Sequence, residues 1–477
     1  KALLAERVLK KVLEKGEDYG SKEDGKTAVV EFPAPNTNKP LHIGHLRNMA
    51  LGDSVSRMLE KRGFDAKRVN LYNDRGIHIC KSMLAYQKWG KDREPDKKPD
   101  HFVGDYYVMF GRKAKDNPEL KDEAQEMLRK WEEGDEETRE LWKKMNNWAM
   151  EGIEKTFEKF GVSFDKVYYE SETYEKGKEI VKKELEEGRF YEKEDGAIAA
   201  DMGDLGEKVL LRSDGTSVYI TQDLYLALVK YKDFDFDRSI YVVGNEQDYH
   251  FKVLFRLLDQ LGFEFADDCY HLSYGMVNLP SGKLKSRQGK VVDADDLIED
   301  LEEMAKEEVE KRHDLGEDEV VNLAEKIGLG ALKFFLLKYS PRNDFTFYPE
   351  ESVSFEGETG PYVQYSAVRA QRILEKAGEE GKGNYSLLNE EEAFGLVKRM
   401  DNFPQVLTEA AYNHKPHLIA KYAFDLAQEF NSFYEKYPVL QAEDEETKDA
   451  RIKLVRSFHT VITSCLGLLG IEVPEKM

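Results

Sequence analysis

The sequence predicts an α/β protein in which a Rossmann-type parallel-sheet domain with a helical insertion is followed by an all-α C-terminal bundle. Between Lys26 and Gly76 a β-branched apolar segment, a polar loop, an amphipathic helix and a second strand-like segment follow one another. This alternation is typical of parallel sheets. Strand-like and helix-like segments alternate again between residues 197 and 263, and beyond residue 297 nearly every segment has helical spacing of its apolar residues.

The composition is that of a folded protein with extensive cores. The chain has 477 residues, enough for at least two domains, and 40% of them are hydrophobic. The net charge of −22 argues against a general nucleic-acid-binding surface but leaves room for a local basic groove. Cys80, Cys269 and Cys465 form no CxxC pair, so neither zinc nor a disulfide framework is expected. No apolar run reaches about 18 residues and no signal peptide is recognisable, so we expect a cytoplasmic protein that does not enter a membrane.

Three parts are predicted along the chain. Residues 1–25 have the pattern of an N-terminal helix and linker, residues 26–345 that of the sheet domain, and residues 346–477 that of the helical bundle. Charged stretches from about residue 80 to 185 predict a helical insertion with solvated faces. The first helix begins without a capping residue, which indicates that a preceding segment was lost or never present.

The second alternating block is expected to complete the parallel sheet. Strand-like segments there are AIAADM, KVLLRS, SVYIT and SIYVVGN, and helices are predicted at residues 223–234 and 248–263. Short β-branched runs favour strands, and a 3.6-residue apolar period favours helices. These strands are expected to join those formed by TAVVEF and DAKRVNLYND.

The loop FPAPNTNKPLHIGHLRNM, which leads from the first of these strands into a helix, predicts a phosphate site. Unpaired N–H groups and the helix dipole make such a helix start favourable for anions. His42 and His45 stand around Gly44, and Lys39 lies just upstream. Imidazole N–H groups can donate to phosphate oxygens as charge grows on them. Taken alone, a proline-rich loop with solvated histidines remains the more frequent explanation of this pattern.

A second polar loop, GKLKSRQGKVV, lies between YGMVNLP and the acidic helix start DADDL. Its cations, together with Ser286 and two glycines, suit closure over a polyphosphate. Basic surface loops are common, so the loop is a weak signal by itself. Its combination with HIGH, in this order and at this distance, is a strong one.

With these two segments the chain resembles the class I aminoacyl-tRNA synthetases. HIGH stands letter for letter at residues 42–45, and KLKSR at 283–287 loosely matches the second class signature, K-M-S-K-S. The resemblance implies ATP as a substrate, Mg²⁺ accompanying it, and no zinc. The residues implied at the nucleotide are His42, Gly44, His45, Met276 and Val277. Those implied in catalysis are His42, His45, Lys39, Lys283, Ser286 and Arg287, with Lys39 compensating for the displaced second lysine of the signature.

Polar residues at the ends of the predicted elements suit a cationic amino acid. They are Glu31, Asn36, Tyr219, Asp223 and Gln247. Two carboxylates, a phenol and two amides match the five N–H donors of a guanidinium better than the point charge of an ammonium. Individually, Tyr219 is more often a core tyrosine and Asp223 a helix N-cap. Because five positions match one pocket at once, a role in substrate binding becomes the favoured interpretation of these residues.

The same stretches are similar to arginyl-tRNA synthetases in particular, over nearly the whole chain. The similarity includes SFEGETGPYVQYSAVRAQRIL and the terminal LLGIEVPEKM. By the pattern of that family, Glu31, Tyr219 and Asp223 would hold the cationic end of arginine, and Asn36 and Gln247 its α-amino and α-carboxylate groups. Full-length relatives usually carry an N-terminal domain that binds the tRNA elbow, and from the resemblance we expect this domain to be missing here, by trimming or in a shortened natural form.

The segment ETGPYVQYSAVRA opens the anticodon-binding domain of that family. The implied tRNA contacts are Tyr362, Gln364, Tyr365, Arg369 and Arg372. Aromatic rings can stack on splayed bases while arginines meet phosphates. Tyr362 and Tyr365 could equally pack the bundle.

The resemblance therefore implies an arginine–tRNA ligase, expected to be a monomer, that activates L-arginine with ATP and transfers it to arginine tRNA. It also implies that activation requires bound tRNA. Two alternatives stay open: a non-catalytic tRNA-binding paralogue, and another class I synthetase such as the lysyl type. A cysteinyl enzyme is disfavoured by the scattered cysteines, and a small-molecule nucleotidylyltransferase would leave the helical tail unexplained.

Overall fold

The computed structural model describes residues 1–280, 292–312, 315–378, 381 and 383–477. The strands of this described part are β1 (Thr27–Glu31), β2 (Asp65–Tyr72), β3 (Lys166–Tyr169), β4 (Tyr191–Glu192), β5 (Ile198–Asp201), β6 (Glu207–Leu211), β7 (Arg238–Gly244), β8 (Cys269–Tyr274), β9 (Val277–Asn278) and β10 (Phe345–Thr346).

Within the same described residues, eleven helices precede the bundle and five lead into and form it. The first set is α1 (Ala2–Lys15), α2 (Ile43–Lys61), α3 (Ile77–Trp89), α4 (Pro99–Asp116), α5 (Leu120–Glu133), α6 (Glu136–Phe160), α7 (Glu170–Glu186), α8 (Tyr219–Phe234), α9 (Asp248–Gln260), α10 (Ala294–Arg312) and α11 (Glu317–Leu337). The second set is α12 (Pro349–Ser352), α13 (Gly360–Ala377), α14 (Glu391–Tyr412), α15 (Pro416–Lys436) and α16 (Glu445–Leu468).

Five strands form one parallel sheet in the order β3-β2-β1-β7-β8. The predicted strands TAVVEF, DAKRVNLYND and SIYVVGN are confirmed as β1, β2 and β7. Their apolar β-branched side chains are buried because helices cover both faces of the sheet. In such a sheet, ligands bind beyond the carboxyl ends of the strands.

Three details of the predicted sheet are wrong. AIAADM and KVLLRS form β5 and β6 of a separate antiparallel sheet with β4, since short connections favour antiparallel pairing. SVYIT is not a strand, because α8 begins at Tyr219 and the Thr221 hydroxyl bonds to the carbonyl of Leu210. Residues 166–169, which fall inside the predicted insertion, form the edge strand β3.

Helices α3 to α6 lie between β2 and β3, largely within the range of the predicted helical insertion. They have a core of their own, in which Tyr86, Phe102, Tyr106 and Trp148 pack edge to face. Edge-to-face contacts of this kind are favourable beyond the apolar area they bury. These helices therefore form a packed unit with its own apolar core.

The N-terminal helix packs on the C-terminal bundle. α1 contacts α14 and α16, and the hydroxyl of Tyr19 donates to the carbonyl of Met400 at 2.9 Å. The largest core cluster runs without interruption from α1 through β1 and α2 to α16. α2 lies at the centre of this cluster, so the helix that begins at the predicted phosphate site is held by both the sheet and the bundle. Among the described helices, none has the length and apolar character needed to cross a bilayer.

Candidate active site

The two histidines of HIGH form a reciprocal cap at the start of α2. The Gly44 N–H donates to Nδ1 of His42 at 3.1 Å, and the His42 N–H donates to Nδ1 of His45, also at 3.1 Å. The ring centroids are 4.0 Å apart. Because each Nδ1 accepts a bond from a backbone N–H, each ring must carry its proton on Nε2. Both rings therefore present an Nε2–H donor.

Burial keeps these donors uncharged. Burial, with the Lys39 cation adding to it, lowers the pKa of His42 to about 4. Burial, with His42 and Lys39 adding to it, holds the pKa of His45 well below its ordinary value. Burial also lowers the pKa of the Lys39 ammonium. Two neutral N–H donors beside a partly buried cation suit an anion whose charge grows during a reaction.

Gly44 is needed for this arrangement. A Cβ on Gly44 would lie 2.9 Å from Cε1 of the His42 ring, closer than real Cβ contacts come. Any side chain there would displace the ring from its capping position. The predicted glycine in the phosphate loop thus has a packing reason as well as a possible role at the nucleotide.

Sequence reasoning missed Arg47, which anchors the first turns of α2. Its side chain is fully buried and donates to four carbonyls. These belong to Gly275 (2.8 Å), Asn343 (3.0 Å), Ser340 (3.3 Å) and Pro341 (2.7 Å). The helix start is thereby fixed to the end of β8 and to the turn that follows α11. The signal was its place two residues after HIGH, but the partners come from distant segments.

Met276 and Val277, which were predicted to contact the nucleotide, directly follow Gly275, whose carbonyl accepts a hydrogen bond from Arg47. Met276 is 50% exposed, and its N–H donates to Asp344 at 2.6 Å. Val277 pairs with Phe345 in the short β9–β10 ladder. An exposed thioether on a fixed backbone could lie against a flat base, so both positions remain compatible with the prediction.

The predicted residues Lys283, Ser286 and Arg287 lie outside the described residues. The segment that follows them is anchored at HIGH: the Ile43 N–H donates to the Val292 carbonyl, and the Ala294 N–H donates to the Leu41 carbonyl. An isolated bridge joins His42 to Asp293. The second signature thus leads directly into a segment hydrogen-bonded to the first.

The five residues predicted to bind the amino acid differ in exposure. Asn36 and Gln247 are exposed at the ends of β1 and β7, and Tyr219 is 70% exposed at the start of α8. Tyr219 is therefore not a core residue. Asp223 is not a helix N-cap either, because Val218 occupies that position. Glu31 is buried at the end of β1.

Each predicted carboxylate already has a basic partner that sequence reasoning missed. Nζ of Lys230 lies 2.6 Å from Oε2 of Glu31, and Nε2 of His250 lies 2.6 Å from Oδ2 of Asp223. Lys230 could have been noticed, because it lies seven residues after Asp223 and so on the same helix face. His250 stands in the GNEQDYH segment that supplied Gln247, without a spacing that singles it out.

A further buried acid, Glu170 at the start of α7, lies beside these groups. Burial raises its pKa to about 7; the Arg75 guanidinium opposes this, and the charges of Asp74 and Asp223 add to it. Arg75 lies 3.9 Å from Glu170 and stacks 4.0 Å from the Tyr174 ring centroid. The carboxyl ends of β1, β2 and β3 thus bring together a strongly acidic site suited to a cation.

One acidic group within the described residues has the spacing of metal ligands: Asp100, His101 and Asp295. The ammonium of Lys98 lies 2.6 Å from Asp295 and 3.1 Å from Asp100. This internal cation already compensates the two carboxylates. We interpret the group as the ion-pair contact that joins α4 to the start of α10.

The five residues predicted to contact tRNA separate into two groups. Tyr365, Arg369 and Arg372 line a cavity of about 620 Å³ between α13 and α15. The Arg369 guanidinium lies 4.7 Å from the Tyr365 ring centroid and 5.2 Å from that of Tyr434. A cation held between two aromatic rings is a surface on which a base or phosphate can bind.

The other two have structural roles. Gln364 is fully buried, and its amide donates to the carbonyls of Lys326 and Glu472, so it cannot contact RNA in this conformation. The Tyr362 hydroxyl accepts a bond from Asn431, and its ring packs on Phe424. Tyr362 therefore packs in the bundle, which was one of the two roles that the sequence left open for it.

Comparison with known proteins matches both halves of the chain. Residues 8–348 match the catalytic domain of class I tRNA synthetases (R), and residues 363–477 match the DALR anticodon binding domain. The arginine–tRNA ligase of Treponema denticola is 50% identical and covers 99% of this chain and 83% of its own length. That of Parabacteroides distasonis is 45% identical, covering 95% and 81%. The solved arginyl-tRNA synthetase of Thermus thermophilus superposes with a TM-score of 0.88 at 27% identity, covering 99% of this chain and 86% of that one.

Proposed function

The chain belongs to the class I tRNA synthetases of the arginine type, and from this premise we propose that it activates L-arginine with ATP and transfers it to arginine tRNA. The observation that carries the proposal is the pair of Nε2–H imidazoles at the start of α2, next to a sheet edge rich in carboxylates. The imidazoles suit a phosphate, and the carboxylates suit a cation. Their common location suits a reaction between them.

Activation joins the arginine carboxylate to the α-phosphorus of ATP. A carboxylate oxygen attacks in line, the bond to the β,γ-phosphates breaks, and pyrophosphate leaves. His42 and His45 donate their Nε2–H groups to phosphate oxygens, and Lys39 adds positive charge at the same place. Mg²⁺ accompanying ATP would supply further positive charge beside the leaving pyrophosphate. Because no side chain acts as a nucleophile, positioning and charge neutralisation carry the step.

The amino acid is held by groups on three elements. Glu31 and Asp223 accept N–H groups of the guanidinium, and the exposed Tyr219 closes over it from the start of α8. Asn36 and Gln247, both exposed at strand ends, hold the α-amino and α-carboxylate groups. In the second step a ribose hydroxyl at the tRNA 3′ end attacks the adenylate carbonyl and AMP leaves.

The proposal also covers how the protein binds tRNA and whether activation depends on tRNA. Tyr365, Arg369 and Arg372 bind the anticodon arm, which their place around one cavity supports. Activation requires bound tRNA, and Arg47 supports this: it ties the start of α2 to the turn after α11, and α11 packs on α13 of the bundle. Such a contiguous contact path could transmit a shift of the bundle to the phosphate site.

The test is charging of transcribed arginine tRNA with each of the 20 amino acids in turn. We expect charging with arginine only, and its loss in Asp223→Asn, which keeps the size of the side chain but removes the charge that faces the guanidinium. Asp214→Asn, on the exposed turn before α8, is the matched control and should charge normally. Charging with lysine would support the lysyl alternative, and no charging of any kind would support a non-catalytic paralogue.

A further inference from the structure

Lys230 is buried in the wall of the proposed arginine site. None of its surface is exposed, and its ammonium lies 2.6 Å from Oε2 of Glu31. The same ammonium lies 3.6 Å from the ring centroid of Tyr241. A lysine buried to this extent needs a compensating partner, since an unpaired ammonium in the interior is strongly disfavoured. Glu31 is that partner.

The arrangement is set by the sheet and by one helix. Glu31 and Tyr241 are direct register partners on the parallel neighbours β1 and β7. α8 packs on β1, and Asp223 and Lys230, seven residues apart, lie on one face of it. The helix therefore places a carboxylate and an ammonium on the face that packs on the sheet, with the ammonium against Glu31.

We propose that Lys230 is a positioning residue that determines specificity for arginine: its ammonium pairs with Glu31 at Oε2, which leaves Oε1 for the substrate guanidinium. This inference rests on the proposed function of the site and goes one step beyond it. The Glu31–Lys230 pair has no net charge, so the net attraction for one guanidinium comes from the other carboxylates of the site, among them Asp223. Oε1 of Glu31 then acts as an oriented acceptor, which a planar donor can use better than an ammonium.

The other groups that face Glu31 cannot replace Lys230. They are Tyr168 on β3, Tyr241 on β7 and Cys269 on β8. Burial raises the pKa of Cys269 to about 11 and holds the pKa values of both tyrosines above the ordinary range. All three are uncharged at neutral pH. Without Lys230, a buried carboxyl among these groups would take up a proton, because burial penalises its charged form.

The experiment measures arginine binding by isothermal titration calorimetry between pH 6.5 and 9. In Lys230→Met the dissociation constant for arginine should rise roughly 10- to 100-fold at pH 7, since a neutral Glu31 no longer attracts the guanidinium. The ratio of mutant to wild-type constants should then fall as pH rises and Glu31 ionises. A purely structural defect would give a ratio that does not change with pH.

Two further variants keep the result interpretable. Lys333→Met removes another buried ammonium, 4.8 Å from the Phe160 ring and bonded to the Gly470 carbonyl, outside the proposed site. It should leave arginine binding unchanged. The pair Glu31→Gln with Lys230→Met removes both charges, so it avoids a buried unpaired carboxyl. It should bind arginine as weakly as Glu31→Gln alone, because Lys230 acts through Glu31.

Three outcomes would overturn the inference. These are wild-type arginine affinity in Lys230→Met, a loss that is the same at every pH, or additive losses in the double variant. The proposed function is tested separately, by arginine-dependent exchange between ATP and pyrophosphate in the wild type with arginine tRNA present. Arginine binding with the predicted pH response but without exchange would contradict the function and leave the role of Lys230 standing.

Discussion

At the scale of single residues, HIGH works through hydrogen bonds that its spacing alone does not reveal. The histidines were predicted from their place at a helix start, and the structure adds that the backbone fixes which ring nitrogen carries the proton. Because both imidazoles stay neutral across the physiological pH range, each keeps its single N–H donor on Nε2. The two histidines are thus set up to give hydrogen bonds rather than to take or release protons.

Glu170 makes arginine affinity depend on pH. Burial raises its pKa to about 7, so it loses its proton as pH rises from 6 to 8 and adds negative charge near Asp223. A cationic substrate should therefore bind more tightly above pH 7, by roughly three- to tenfold for a partly screened charge. The dissociation constant for arginine, measured by calorimetry across this range, is the test.

Two variants separate this effect from general pH effects. Glu170→Gln should abolish the change, whereas Glu172→Gln, at an exposed position on the same helix, should retain it. An unchanged pH response in Glu170→Gln would show that another group titrates.

The residues of the site were predictable to the extent that they stand next to strand ends or helix starts. Glu31 and Asp223 were predicted in this way. Their partners Lys230 and His250 were not, because each comes from a helix whose distance to the carboxylate is set only by tertiary packing. A seven-residue helical spacing linked Asp223 to Lys230, but many surface pairs have that spacing.

At the scale of elements, α2 was predicted closely, whereas the helix predicted at residues 223–234 begins four residues earlier, at Tyr219. The apolar spacing after HIGH gave the helix, and burial by the sheet and the bundle stabilises it. SVYIT has the β-branched content of a strand, yet Ile220 and Thr221 are buried in the first turn of α8. Tertiary packing overrode the local preference there, as it often does for short β-branched runs.

Arg47 should couple the position of α2 to catalysis. Arg47→Met removes four hydrogen bonds to carbonyls, and the expected cost in free energy of unfolding is about 2–5 kcal/mol. Since the phosphate site begins five residues earlier on the same helix, the rate of ATP–pyrophosphate exchange should fall more than the arginine affinity does.

The matched control is Arg62→Met. Arg62 is also buried and donates to the Gly20 carbonyl, but it stands just beyond the other end of α2. It should lose stability without a comparable loss of exchange rate. Equal effects of the two variants on exchange would mean that Arg47 matters only for stability. Thermal unfolding and exchange kinetics on both proteins decide this.

At the scale of the whole molecule, sheet and bundle share one core. The largest apolar cluster runs from α1 through α2 to α16, and α1 itself lies on the bundle. The division into an α/β part and a helical part was predictable from the change in apolar period near residue 345. The packing of α1 on α14 and α16 was not, because periodicity says which face is apolar and not what covers it.

The cavity between α13 and α15 should bind tRNA through its arginines. Arg372→Ala should raise the Michaelis constant for tRNA and reduce the salt dependence of binding by about one phosphate contact, while arginine affinity stays the same. Lys398→Ala is the control, because Lys398 is exposed on the same bundle and stacks on Phe394 away from the residues that line the cavity. Equal tRNA affinities for the two variants would move the interface elsewhere.

The measurement that tests the central claim most directly is ATP–pyrophosphate exchange of the wild-type protein with each amino acid, with and without arginine tRNA. We expect exchange with arginine alone, and only when tRNA is present. Exchange driven by a different amino acid, or no exchange with arginine in the presence of tRNA, would contradict it.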